Sequence, residues 1–505
     1  MSDNRDDRLD AGLLRLIGVT LLGGIMGILD STMVTVAADT LAEEFDTSLN
    51  AISWASTAYL LALTVTIPVT GWAVGRYGVK RLWLFGLVLF MVGSLASALA
   101  WDVGSLIVFR VVQGFGAGVL DPLVLVILAR AAGPGRAGRV MGMMGVVLSL
   151  GPVLGPVLGG VVLESMGWRS MFYINLPIGI IALLLAVRVI PADPSDAKKS
   201  TAPLDVIGAV LLAPGFAATI LALSQAGEHA RFTTPSVLVP LAIGLLLLGA
   251  YVFHALRTRR TEPLIDVRLF TSRSFSASVT VQGLVGLGTY AGLFALPLYY
   301  QMLHGHGARA AGLLVAPLGL GAALAMPFAG RLSDRMGART LVQGGAVVAA
   351  LGAVALAFID ATSSETWSAS AAFAIGLGLG AVGAPTMGSL YRTLPAEKVP
   401  QGSSVLYNLN QLGGALGVAC VALILTAAGV GTTGSGTAMD AFHNVYWFVF
   451  AVALVILATT PLLPGRPESP TTAPRDGDAR EEDEGTPSGK QSSPQPGDTS
   501  TSPVG

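Results

Sequence analysis

The sequence predicts an all-α integral membrane protein with fourteen transmembrane helices. Composition, a series of long apolar runs and the alternation of charge between them lead to that class. Of the 505 residues, 52% are hydrophobic and 12% are charged. Soluble domains carry about 25% charged residues, so much of this surface is made for lipid. Crossing the hydrocarbon core takes about 20 mostly apolar residues. Fourteen runs meet that length: 13–38, 51–74, 82–101, 104–129, 139–162, 169–190, 204–224, 235–256, 276–301, 309–330, 340–359, 368–391, 403–427 and 444–463. The ninth is the least regular, since 274–308 is long and contains Pro297. Two helices there would each be too short to cross.

The chain begins MSDNRDDRLDAG, with Asp3, Asp6, Asp7 and Asp10 ahead of the first run. A secretory signal peptide has a basic start and a small-residue cleavage site. The first span is therefore expected to be retained, after a short cytoplasmic segment over 1–12. Loop charges set the orientation. With the N-terminus in the cytoplasm, the cytoplasmic turns hold Arg76, Lys80 and Arg81; Arg130, Arg136 and Arg139; Arg188, Lys198 and Lys199; Arg257, Arg259, Arg260, Arg268 and Arg273; Arg331, Arg335 and Arg339; and Arg392 and Lys398. The opposite loops hold Arg169, Arg231 and Arg309 among ten acids, from Asp39 to Asp440. Basic loops mark the cytoplasmic side, and a miscount of one span would scramble the pattern. Both termini are expected in the cytoplasm. The tail over 464–505 is rich in Pro, Ser and Gly; it lacks the apolar residues for a core and is expected to be disordered.

In the first span, GILDSTMVTVAADTL (27–41) places Asp30 in an apolar run with no Lys, Arg or His nearby in sequence. A carboxylate at the bilayer centre costs about 2.5–3.5 kcal/mol on insertion scales, so Asp30 calls for a partner or a cavity. Two loops then repeat. GWAVGRYGVKR (71–81) follows the second span and GRLSDRMGART (330–340) follows the tenth. Gly71 matches Gly330, Arg76 matches Arg335, Gly78 matches Gly337 and Lys80 matches Arg339. Their glycines permit tight turns, and their cations suit helix C-terminal ends. Equal spacing at equivalent topology indicates duplication, and duplicated bundles around a central site are a transporter plan.

The fourth span carries Arg110, Gln113, Gly114, Ala117 and Asp121, at offsets of 3, 4, 7 and 11 that share one helical face. Such a polar stripe must look into the bundle or a cavity. Asp30 lies about eight residues before the outer end of its span, and Arg110 about seven after the outer start of its own. At 1.5 Å per residue the two sit at similar depth. In the fifth span, GPVLGPVLGG (151–160) spaces Gly151, Gly155 and Gly159 for close helix approach. Pro152 and Pro156 remove backbone donors and favour bending.

These motifs resemble the major facilitator superfamily, and within it the fourteen-helix drug:proton antiporters. The stretches that carry the resemblance are LDSTMVTVA (29–37), SWASTAYLLALTVTIPVTGW (53–72), the two basic glycine loops, RVVQGFGAGV (110–119), GPVLGPVLGG, GWRSMFYINLPIG (167–179) and PLIDVRLF (263–270). The resemblance covers all fourteen spans. It implies two six-helix bundles, 13–190 and 276–463, with 204–256 inserted between them as helices 7 and 8. Helices 1 and 4 would then lie side by side at a central cavity, with proton coupling through Asp30 and Arg110. Asp121 would be a relay or a counter-ion for cationic substrate. Gly151, Pro152, Gly155, Pro156, Gly159 and Gly160 match the antiporter motif. Gly71, Arg76, Gly78, Lys80, Asp334, Arg335 and Gly337 match the gate loops. One position departs: Gly75 stands where the family usually has a gate-locking Asp, whereas the second half keeps Asp334. Gln113, Trp54, Tyr59, Tyr299, Tyr407 and Asn408 are candidates for the cavity lining.

Other function classes find little support. The one Gly-Lys pair, Gly489-Lys490, is followed by Gln491, so there is no phosphate-binding G-x-x-x-x-G-K-[ST]. GFGAGV (114–119) and GLGLGAVG (376–383) lie in apolar spans and read as helix-packing glycines. The sole cysteine, Cys420, excludes an intrachain disulfide and a Cys-based zinc site; no metal or cofactor is expected. A net charge of −1 argues against nucleic acid. His304 and His306 near an outer loop, and His254 at a cytoplasmic helix end, read as ordinary loop and interface residues. No H-E-x-x-H or Ser/His constellation suggests an enzyme. The expected function is proton-coupled export of lipophilic drug- or antibiotic-like small molecules across a bacterial plasma membrane, by alternating access and as a monomer in the bilayer. The alternative is a proton symporter importing a small metabolite, which the fifth-span motif disfavours. A membrane sensor would need a foldable signalling segment, and the tail offers none.

Overall fold

The computed structural model describes residues 10–133, 136–192, 203–258, 261–360, 363–428 and 435–465. The tail beyond Gly465 and the first nine residues lie outside the described residues. Among those described there are sixteen α-helices and no strand: α1 Ala11–Val36, α2 Ala38–Glu44, α3 Leu49–Tyr77, α4 Val79–Ala98, α5 Val103–Ala132, α6 Ala137–Met166, α7 Trp168–Tyr173, α8 Asn175–Val189, α9 Val206–His229, α10 Pro235–Arg257, α11 Arg273–His304, α12 Ala308–Met336, α13 Ala338–Ala357, α14 Glu365–Thr393, α15 Val399–Ala427 and α16 Ser435–Thr459. Among the described residues, thirteen stretches are long and apolar enough to cross a bilayer, with α7 and α8 together forming one of them. The fourteenth is α6, which bends by 45° between Pro152 and Leu154. Pro152 and Pro156 each remove a rung from its hydrogen-bond ladder, which accounts for the bend.

The elements follow from local chemistry. Asp10 starts α1 by accepting from the Gly12 N–H at 2.7 Å. Asp102 and Ser105 form a reciprocal capping box that starts α5, with the Ser105 N–H 2.6 Å from the Asp102 carboxylate. That backbone donor holds the Asp102 pKa below its usual value. The ninth span is one helix, α11, with Pro297 inside it. The sixth is broken at Ile174, because Pro177 offers no N–H to the Tyr173 carbonyl. Gly78 and Gly337 end α3 and α12 with φ of 86° and 83°. The two repeated loops therefore share one left-handed backbone turn that a side chain would strain.

One apolar cluster lies within 277–463 and centres on Tyr299, Tyr300, Phe442 and Tyr446. Another joins the first-half helices to Leu212, Tyr251 and Ala255 of the α9–α10 hairpin and to Leu264 and Ile265 beyond it. α9 packs against α10, α3 and α15, while α10 turns Leu245, Leu246 and Phe253 outward. Exposed aliphatic faces of this kind suit acyl chains, since every backbone group inside a helix is already bonded. The turns carrying Arg76, Lys80, Arg136 and Arg335 lie at one end, here the basic end; those carrying Glu43, Glu44 and Asp102 lie at the other, the acidic end.

Candidate functional site

Asp30 is 1% exposed and Arg110 is fully buried. The Arg110 Nη1 donates to Asp30 Oδ2 as an ion pair between α1 and α5. The same nitrogen lies 2.7 Å from Gln113 Oε1, one turn along α5. Gln113 Nε2 donates to Asp30 Oδ1 at 2.9 Å, and Asn175 Nδ2 of α8 donates to the same oxygen at 2.8 Å. Asn175 also reaches Ser94 Oγ on α4 at 3.0 Å, and Ser94 donates to the Phe172 carbonyl at 2.9 Å. The Tyr59 ring covers the guanidinium at 4.1 Å, a cation–π contact over a fully buried charge. Arg110 Nε and Nη2 have no hydrogen-bond partner among the described residues. Five helices, α1, α3, α4, α5 and α8, thus contribute side chains around one carboxylate and one guanidinium. A proton arriving at Asp30 removes the charge that holds Arg110 and leaves that cation uncompensated.

Asp121 belongs to a second centre. Its Oδ2 accepts from the Tyr407 hydroxyl of α15 at 2.5 Å, so the bond runs between the two halves of the chain. Asp121, Tyr59 and Tyr407 line a cavity of about 480 Å³, together with Ser31 and Thr32 of α1 and Tyr290 of α11. The lining rises from Asp121 and Tyr407 to Val418 and Glu228 on the acidic-end side. At the basic end the two halves meet directly. Asp334 accepts from the Gly138 and Arg139 N–H groups at 2.9 and 3.0 Å, and from Arg392 Nη1 at 2.7 Å. It thereby caps α6, which has no side-chain cap of its own. Ser404 Oγ donates to the Ile67 carbonyl at 3.1 Å, tying α15 to α3. On the equivalent place of the other half, Gly71 faces the Pro400 and Gln401 backbone, Gly75 brings no carboxylate, and α15 starts without a side-chain cap. Asp266 instead holds that region, receiving Lys398 Nζ at 3.3 Å and donating its own N–H to Gln401 Oε1 at 3.2 Å.

The other expected positions divide. Gly151, Gly155 and Gly159 line the α6 face that meets Ile28, Thr32 and Met33 of α1, while Gly160 faces open space. Pro152 reaches the cavity lining, and Pro156 lies half-buried on the same bent helix. Lys80 Nζ donates to the Val187 carbonyl at the end of α8 at 2.7 Å; Arg76 and Arg335 lie at the exposed basic end. Gln113, Trp54, Tyr299 and Asn408 are not among the cavity-lining residues, which corrects the expectation for them; Gln113 is instead turned into the Asp30–Arg110 network. Trp54 lies five residues from Tyr59, on a different helical face, and is 39% exposed. Tyr299 is packed among Tyr300, Phe442 and Tyr446 and bonds His304 at 3.0 Å. Asn408 is fully buried, one residue round the helix from Tyr407. His306 pairs with Glu365 at 2.5 Å, and His254 pairs with Asp205 at the start of α9 at 2.8 Å. Sequence reasoning missed Asn175 and Ser94. The available signal was an amide in the apolar stretch FYINLPIG, just ahead of a helix-breaking proline.

Comparison with known proteins adds to this geometry. A family model described as Major Facilitator Superfamily matches residues 20–418. A multidrug resistance protein B homolog of Mycobacterium tuberculosis is 38% identical over 423 residues, covering 83% of this chain and 77% of that protein. The lincomycin resistance protein LmrB of Listeria innocua is 30% identical over 413 residues, covering 82% of this chain and 86% of that one. Among solved structures, the proton:xylose symporter XylE aligns with a TM-score of 0.61 at 15% identity, over 88% of this chain and 96% of that chain. That last likeness speaks for the fold alone.

Proposed function

Because the chain belongs to the Major Facilitator Superfamily, a family of transporters rather than enzymes, we propose that it is a proton-coupled exporter of lipophilic drug- or antibiotic-like small molecules. The observation that carries this reading is the buried Asp30–Arg110 pair, a proton-accepting group beside a permanently charged one. Antibiotic resistance proteins among its relatives support export, as does the glycine face of α6 against α1. In this reading the basic end faces the cytoplasm, and 13–190 and 276–463 are the two rocking bundles with 204–256 inserted. The bonds from Asp334 and Ser404 then close the cytoplasmic side while the cavity faces out.

The mechanism follows from the charges. A proton from outside neutralises Asp30 and releases Arg110 from its ion pair, and α1 and α5 lose the contact that fixed them. Reorientation presents Asp30 to the cytoplasm, where the proton leaves and the pair re-forms. Substrate held near Asp121 moves the opposite way. Everted membrane vesicles test this with ethidium as the probe. Adding ethidium should release protons from an acidified lumen, and Asp30→Asn should abolish the release while folded protein remains in the membrane. Normal proton release in that variant would overturn the proposal. Ethidium uptake driven by protons moving the same way would favour the symporter alternative.

A further inference from the structure

The inserted helix α9 faces the cavity. Ile220, Leu223, Ser224 and Gly227 line it at i, i+3, i+4 and i+7, and Glu228 follows at its rim. Packing against α3 and α15 holds this face inward. At Gly227, a side-chain carbon would lie 3.6 Å from Val418 and 3.8 Å from Ala419 of α15, so the helix seats closely there. Among the described residues, the charged members of the lining are Asp121 and Glu228, and no Lys, Arg or His is among them. Tyr59, Tyr290, Phe294 and Tyr407 add aromatic faces, which attract organic cations. The two acids differ in setting. Asp121 is buried and bonded to Tyr407, whereas Glu228 is exposed, with the Gln225 amide 3.4 Å away.

We infer that α9 is a substrate-contacting wall and that Glu228 is a specificity determinant favouring aryl cations over uncharged molecules of similar shape. The inference rests on the exporter reading but does not involve Asp30 or Arg110. Glu228 sets which molecule is held, not how the proton moves. The aliphatic side chains of α9 cover the aryl groups, and the carboxylate meets the charge, in keeping with pockets that are mostly apolar with a few placed polar groups.

The test uses purified full-length protein in lipid nanodiscs and two probes, tetraphenylphosphonium and uncharged triphenylphosphine oxide. Glu228→Gln should weaken phosphonium binding about tenfold and change phosphine oxide binding less than about twofold; Glu228→Asp should restore most of the difference. Ser224→Phe, which fills the wall, should weaken both probes. Val210→Trp, on an exposed part of the same helix, should affect neither. Phosphonium binding unchanged in Glu228→Gln, or both probes weakened equally by it, overturns the charge assignment. Unchanged binding in Ser224→Phe overturns the wall. Either result leaves the exporter reading standing, because wild-type binding and vesicle proton release are independent of these variants. Wild-type protein that binds neither probe overturns the drug-cavity reading and this inference with it.

Discussion

Replacing Arg110 with Met probes the buried network most directly. Asp30 accepts from Arg110, Gln113 and Asn175, and of these only Arg110 is charged. Without it, a carboxylate that is 1% exposed keeps two amide donors. Removing one partner of a buried pair costs about 3–5 kcal/mol, because the other charge stays behind. The remaining amide bonds to the carboxylate contribute about 1.5–3 kcal/mol each but were present before, so they do not offset the loss. Arg110→Met is expected to lose about 3–5 kcal/mol, and Asp30→Asn a comparable amount through the stranded guanidinium. The double variant removes both charges and should recover an interaction energy of at least about 2 kcal/mol. Cys420, the one thiol in the chain, is half-buried on α15 and suits a fluorescent maleimide assay of unfolding in the purified protein. Single-variant losses that simply add would refute the pair as an energetic unit. Transport should be absent in all three variants even where stability returns.

Other expectations follow from single contacts. Asp334→Ala strips the cap from α6 and should cost about 1 kcal/mol; amide hydrogen exchange over 137–142 should quicken, and unchanged exchange would count against a cap acting between the halves. Gly155→Val drives a side chain into Thr32 and should abolish transport, whereas Gly160→Val, which meets nothing within 4 Å, should leave it intact; equal behaviour of the two would remove the argument for a close α1–α6 face. Tyr407→Phe deletes the hydroxyl on Asp121 with little change in volume. A hydrogen bond to a charged group contributes about 1.5–3 kcal/mol, equivalent to about 10- to 150-fold, so the half-saturating substrate concentration should shift by about tenfold or more, and no shift would disconnect Tyr407 from the cavity's working.

Much of the fold was legible because lipid imposes one demand, a run of apolar residues long enough to cross. The fourteen spans follow from that, and the bend in α6 from two prolines. Asp30, Arg110 and Gln113 stood out as polar groups in apolar runs, and helical spacing put Arg110 and Gln113 on one face. Asn175 and Ser94 did not, because a single amide or hydroxyl in a membrane helix is commonplace. Their meeting depends on how α8 restarts after Ile174. Trp54, Tyr299 and Asn408 were misplaced for a related reason: aromatic and amide side chains carry no mark of which way a helix is rotated. The cavity face of α9 was hidden as well, since nothing in an inserted apolar run says which neighbours it will find.

The unequal latches at the basic end bear on how the protein divides its time. Asp334 fastens one side of a two-fold device, and Gly75 leaves the matching side without a carboxylate. A cap of about 1 kcal/mol shifts a two-state equilibrium only about fivefold. Two such caps would multiply to about twenty-five-fold. In the proposed alternating-access cycle, one cap would leave the resting populations nearer to even, and less binding energy would be needed to tip the molecule over. A transporter that must visit both faces in every turnover gains speed from such a shallow bias, at the expense of a tightly sealed rest state.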